Sequence, residues 1–194
     1  KVNHLSDVSK WRISMKGIVF TELMEMVENQ FGIEMVDRII QPKELVSKGI
    51  FTSVGTYPFS DLVSILGHLS QATGASIPDL EKVFGQYLAG RFSKMYLPFF
   101  QRVNTVFELL DEVDSYIHIE VMKLYPDAEL PQFETVRKAD NMIEMIYRSQ
   151  RKMFPFAEGL IDASAHYFKQ NVKIQVLEWN SDGAEVRFLV EEIA

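Results

Sequence analysis

The 194-residue chain has no cysteine. Disulfides, cysteine-bound zinc, iron–sulfur clusters and thiol catalysis are therefore excluded. The absence also agrees with a reducing compartment. Apolar runs fall short of the roughly 18 residues a membrane span needs, and no signal-peptide pattern opens the sequence. The expectation is a cytoplasmic protein. Positive charge is scarce as well. The formal net charge is −7, and the densest basic stretch is a scatter from Arg148 to Lys152. Binding to nucleic acid or to an acidic membrane surface is disfavoured. The sequence offers neither a phosphate-cradling glycine loop nor a nucleophile–base pair, so an enzyme is not expected.

What is present is apolar bulk. Fourteen Phe, seven Tyr and nine Met can fill the core of one domain of this length. The same supply could also line an apolar ligand cavity, and composition does not choose between the two.

Residues 1–14 have no clear period, whereas MKGIVF from Met15 reads as a natural start. We expect residues 1–14 to be a tag or upstream extension and residues 15–194 to form a single domain. Val19, Phe20, Leu23, Met26 and Val27 recur at helical spacing and predict a helix over 16–30, stopped by Gly32. A short helix follows through Ile40. Residues 43–58 read as loop with some extended character. Ser60 is the expected cap of a helix reaching Gly74, and Pro78 sits at the start of the next. A long helix is predicted from Val103 to Tyr125, ended by Pro126. The polar stretch 126–140 reads as a connector. A strand covers MIEMIYRSQRKMF, a helix runs from Pro155 to Gln170, and two last strands flank an Asp182-Gly183 turn. The fold class is α+β, with a mostly helical first part and then an antiparallel sheet with one helix inserted.

Of the four histidines, His4, His68 and His166 have no evident partner and read as structural or surface residues. His118 lies in SYIHIEVMKLYP on the long helix, beside a stripe of Ile117, Val121 and Leu124 continued upstream by Phe107, Leu110 and Val113. Its imidazole is expected to face the core, either as a satisfied core histidine or as a metal ligand. Glu120 does not join it, because residues two apart on a helix do not face each other. A second cluster is Tyr147-x-Ser149-x-Arg151. On a strand these three share a face. Two hydroxyls and a guanidinium fork suit a carboxylate, although a polar strand edge facing water has the same pattern.

Read in order, MKG at Met15, HIEVMKLYP around His118, Pro131, YRSQR from Tyr147 and AEGLI from Ala157 resemble the H-NOX family of haem–nitric oxide/oxygen binding domains. Tyr147 follows His118 by 29 residues, as in that family. The resemblance implies a helical N-terminal portion, a C-terminal portion with a four-stranded antiparallel sheet, and a b-type haem buried between them. It makes His118 the axial ligand of the iron, gives the haem propionates to Tyr147, Ser149 and Arg151, and packs Pro131 against the haem. Oxygen-binding members carry a tyrosine, helped by an asparagine and a tryptophan, over the iron. Here Phe156, Leu88 and Leu23 stand at those places, with Val19, Phe92 and Leu160 as further wall. An apolar pocket of this kind implies binding of nitric oxide and carbon monoxide and discrimination against oxygen. It also implies signalling in trans, through weakening or rupture of the Fe–His118 bond and a shift of haem and helix. The partner would be a histidine kinase or a cyclic-di-GMP enzyme, as in bacterial members. Some relatives bind zinc through cysteines; without cysteine, no zinc is expected. Two other readings stay open on the residues alone. One is an oxygen sensor, which needs a distal donor. The other is a non-haem module for an apolar carboxylate, with His118 passive.

Overall fold

The computed structural model describes residues 13–41 and 43–193. The chain forms two compact units. Among the described residues, one comprises 13–75 together with Asp127–Glu129, and the other comprises Ser76–Pro126 and 130–193.

In the first unit, β1 (Ser14–Lys16) runs directly into α1 (Gly17–Phe31), followed by α2 (Ile33–Ile39). Residues 1–12 of the expected extension lie outside the described residues, while Ile13 and Ser14 already take part in this unit. Phe20, Leu23 and Val27 are fully buried on α1, as their spacing predicts. The junction is tight at Gly17, where a Cβ would fall 1.8 Å from the Thr52 carbonyl oxygen. β2 (Thr56–Pro58) pairs antiparallel with β1 and leads into α3 (Phe59–Thr73). Ser60 is not the cap of α3. The helix begins one residue earlier, straight out of β2, and its first N–H, that of Phe59, donates to the Ile13 carbonyl at 3.0 Å. Gly74 ends α3 in the left-handed region at φ 78°, where glycine carries no Cβ penalty. Asp127 is fastened to this unit by Lys16 Nζ at 3.0 Å and by the Thr56 hydroxyl at 2.6 Å.

The second unit opens with α4 (Ile77–Met95), capped by Ser76, whose hydroxyl accepts from Asp79 N–H. A short α5 (Leu97–Gln101) follows, unsignalled by the sequence pattern. The single helix expected over 103–125 is three pieces: α6 (Val106–Asp111), a π-helical turn (Val113–Ile117) and α7 (His118–Leu124). The break has a local cause. Tyr116 and Ile117 both direct their N–H groups to the Glu112 carbonyl at 2.9 Å, which widens the helix by one residue.

Four strands then form an antiparallel sheet with order β3-β4-β6-β5. They are β3 (Gln132–Ala139), β4 (Met142–Arg148), β5 (Val172–Trp179) and β6 (Glu185–Glu192), with α8 (Phe154–Tyr167) inserted between β4 and β5. β3 replaces much of the expected connector. It is an edge strand with mostly exposed side chains, so it lacks the apolar alternation that marks β4. Ile143, Met145 and Tyr147 of β4 and Val186, Phe188 and Val190 of β6 are buried. They pack with Phe154, Ala157, Ile161 and Ala165 of α8 and with Val106, Phe107 and Leu110 of α6. Each large apolar side chain buried this way contributes about 1.5–3 kcal/mol. α4 and α8 meet backbone to backbone: a Cβ on Gly85 would lie 2.2 Å from the Phe156 carbonyl oxygen, and one on Gly159 2.1 Å from that of Lys82. Among the described residues, no helix is long and apolar enough to cross a membrane.

Candidate functional site

His118 is the first residue of α7 and directly follows the π-helical turn. Such turns recur at functional sites because they offset the residues around them from regular helical register. His118 Nδ1 lies 2.6 Å from Asp114 Oδ1. The second Asp114 oxygen accepts the Phe133 backbone N–H at 2.6 Å. The imidazole also packs on the Phe133 ring, with centroids 6.1 Å apart. Burial pushes the His118 pKa below its usual 6.5, and the Asp114 carboxylate partly opposes that shift by charge and hydrogen bond. A carboxylate charge beside Nδ1 favours the neutral tautomer protonated there, which leaves Nε2 as the electron-pair donor, as in metal-binding histidines. Leu124 does not continue the apolar stripe beside His118; it is 58% exposed, because the π-helical turn rotates α7 away from regular register.

Tyr147 is buried on β4 opposite Phe133 of β3. Its ring lies 5.5 Å from Phe133 and 5.9 Å from Phe154. Phe133 thus bridges His118 and Tyr147. Burial raises the Tyr147 pKa, while the Ser149 side chain, the Met153 backbone and the Arg151 charge pull it back. Ser149 and Arg151 are not on the strand. β4 ends at Arg148, and the chain turns, with Ser149 Oγ accepting the Arg151 N–H at 3.2 Å and Lys152 in the left-handed region at φ 58°. The three side chains come together through a turn rather than by strand pleat.

Pro131, partly buried, immediately precedes β3. Leu88 is buried on α4 and Phe92 lies one turn further along, against Tyr96. Phe156 and Leu160 lie on α8, and Phe156 packs on Phe84 at 5.3 Å. Val19 and the fully buried Leu23 lie on α1 of the first unit. His68 and His166 have partners the sequence did not reveal. His68 sits 2.9 Å from the Ile39 carbonyl and 3.0 Å from Glu44, and His166 2.8 Å from the Asp162 carbonyl. His4 lies outside the described residues.

Two residues of the site escaped the sequence reading. Asp114 is signalled only by its place one turn before His118. Glu81 lies on α4 two turns before Leu88. Burial pushes its carboxyl up to about 7, and its charge acts on Tyr147.

Among the described residues, no group of three or more His, Asp or Glu could hold a metal ion. A metal held inside a macrocycle, as haem iron is, brings most of its ligands with it and needs one protein side chain such as His118. One imidazole with its far nitrogen held, together with hydroxyls and a guanidinium suited to carboxylates, fits a haem protein. A family model described as Haem-NO-binding matches residues 16–176. The chain belongs to this family, the haem-binding gas-sensor domains known as H-NOX. The H-NOX protein of K. algicida, in its Fe(II) unliganded state, is 39% identical, with 93% of this chain and 97% of that one covered at a TM-score of 0.88. The S. oneidensis H-NOX protein in the Fe(II)NO state is 28% identical, with 93% and 100% covered at 0.85. The Shewanella woodyi H-NOX, bound to IWP-051 in the Fe(II)CO state, is 38% identical, with 92% and 95% covered at 0.79. A search of curated proteins found no match.

Proposed function

We propose that this domain binds b-type haem through His118 and reports nitric oxide, in preference to oxygen, to a separate signalling protein. The observation that carries this reading is the contact of His118 Nδ1 with Asp114 at 2.6 Å, which would leave Nε2 free to ligate the iron. Tyr147, Ser149 and Arg151 would hold the propionates, and Pro131 would pack on the macrocycle. When bound, haem would supply a ferrous iron able to take nitric oxide or carbon monoxide. Phe156, Leu88, Phe92 and Leu160 of the second unit would offer apolar side chains to it. Bound oxygen carries partial negative charge and gains from a donor; nitric oxide needs none, so apolar side chains favour it.

His118 opens α7, so tension on its ring is tension on that helix. A ligand moves a conformational equilibrium only by its different affinity for the two states. A gas that loosened the hold of His118 on the bound haem would supply that difference, and α7, which His118 opens, would be free to shift. The reader of the shift is a partner in trans, a histidine kinase or a cyclic-di-GMP enzyme.

Absorption spectra of the ferrous protein test the reading. We expect a five-coordinate spectrum that ignores air and changes with carbon monoxide and nitric oxide. His118→Gly should lose haem unless imidazole is supplied. A stable oxy spectrum would remove the discrimination against oxygen, and failure to take up haem would overturn the whole reading.

A further inference from the structure

We infer that Asp114 is a positioning residue that fixes both the tautomer and the orientation of the His118 ring and ties it to the edge strand β3. The inference rests on the haem reading above. Each oxygen of this one carboxylate lies against a different nitrogen. Oδ1 lies 2.6 Å from His118 Nδ1, and Oδ2 accepts from the Phe133 backbone at 2.6 Å. The Oδ2 contact is a short, charge-assisted hydrogen bond, and the Oδ1 contact sets a carboxylate charge directly beside Nδ1 without the ring N–H aligned on it. Phe133 then returns its own ring to His118. The imidazole is held from two directions, and both holds lead to the start of β3 rather than along the histidine's own helix.

The chemical consequence follows from the charge. A carboxylate charge beside Nδ1–H makes the ring a stronger donor through Nε2 and fixes its plane. Asp114 therefore raises the threshold at which His118 lets go, and it sends the recoil of the ring into β3 as well as α7.

Asparagine cannot do the same work. Its amide oxygen can serve one of the two N–H groups, and its NH2 then faces the other. Asp114→Ala and Asp114→Asn should both lower the Fe–His stretching frequency of the ferrous protein in resonance Raman spectra. Asp114→Ala should also weaken haem retention by about tenfold. Asp114→Glu, which keeps the charge, should recover part of the frequency. In the wild-type protein, the Nδ1 proton of His118 should resonate far downfield and exchange slowly with water. This second measurement holds whether or not the variants fold.

A frequency unmoved in Asp114→Ala, with haem still on His118, would overturn the role of Asp114 and leave the haem reading intact. A fast-exchanging, ordinary Nδ1 proton would overturn it equally. A wild-type protein that takes up haem but shows no Fe–His band would overturn the ligation itself, and the role of Asp114 with it.

Discussion

At position 156 phenylalanine and tyrosine differ by a single oxygen atom, and the proposed preference for nitric oxide over oxygen can be tested there. Phe156 lies on α8 against Phe84, and tyrosine there adds a hydroxyl without changing the size of the ring. A hydrogen bond from that hydroxyl to bound oxygen contributes about 1 kcal/mol, roughly a fivefold slowing of oxygen loss. We expect Phe156→Tyr to give the ferrous protein a measurable oxygen affinity in air-equilibrated buffer while leaving nitric oxide binding nearly unchanged. An unaltered response to air would show that Phe156 does not face the gas. The residues that carry the site differ in how much of themselves they show in the sequence. His118 and Tyr147 belong to patterned elements with recognisable spacing. Asp114 has no pattern of its own; its role comes from a backbone N–H nineteen residues ahead in β3, a partner that only folding supplies. Glu81 is similar, because its raised pKa comes from burial and burial of a charged residue is invisible to periodicity.

The α4–α8 crossing is set by glycine at both contact points. Alanine at position 85 would drive a Cβ into the Phe156 carbonyl oxygen, and backbone cannot move aside as a flexible side chain can. We expect Gly85→Ala to destabilise the protein by about 1–3 kcal/mol in denaturant titrations. Gly90 is the control. It lies on the same helix, is exposed, and a Cβ there meets nothing within 4 Å. Gly90→Ala should stabilise by about 0.5–1 kcal/mol, because alanine lowers the entropy of the unfolded chain and favours the helix. Equal effects at the two positions would contradict the packing argument. Elements with one apolar face, such as α1, β4 and β6, were readable from spacing. β3 was not, because an edge strand with both faces mostly in water has no apolar alternation to show. The break between α6 and α7 was hidden for a different reason. The apolar residues on either side stay near helical spacing, and the extra residue of the π-helical turn registers only in the hydrogen bonds to Glu112.

Stability of the whole molecule should carry the mark of Glu81. Burial raises the pKa of its carboxyl in the folded protein to about 7, against the usual 4.5. A carboxyl with a raised folded pKa binds more protons folded than unfolded between those two values. Its contribution is fully present below about pH 4.5 and is lost as pH rises through about 7. His118 acts in the opposite sense in the haem-free protein. Its folded pKa lies below 6.5, so stability falls as pH drops below that value. The raw stability curve mixes these two groups, but the difference between wild type and Glu81→Gln isolates one of them. Glutamine cannot ionise, so the variant should gain on wild type as pH rises from 4.5 to 7 and hold that advantage above. After discounting for the partial exposure of Glu81, the gain is about 1–2 kcal/mol, a few degrees in Tm for a chain of this size. Thermal unfolding of both proteins at closely spaced pH values measures it. A flat difference curve would mean that Glu81 stays charged in the fold, and that Tyr147 keeps an anionic neighbour at neutral pH.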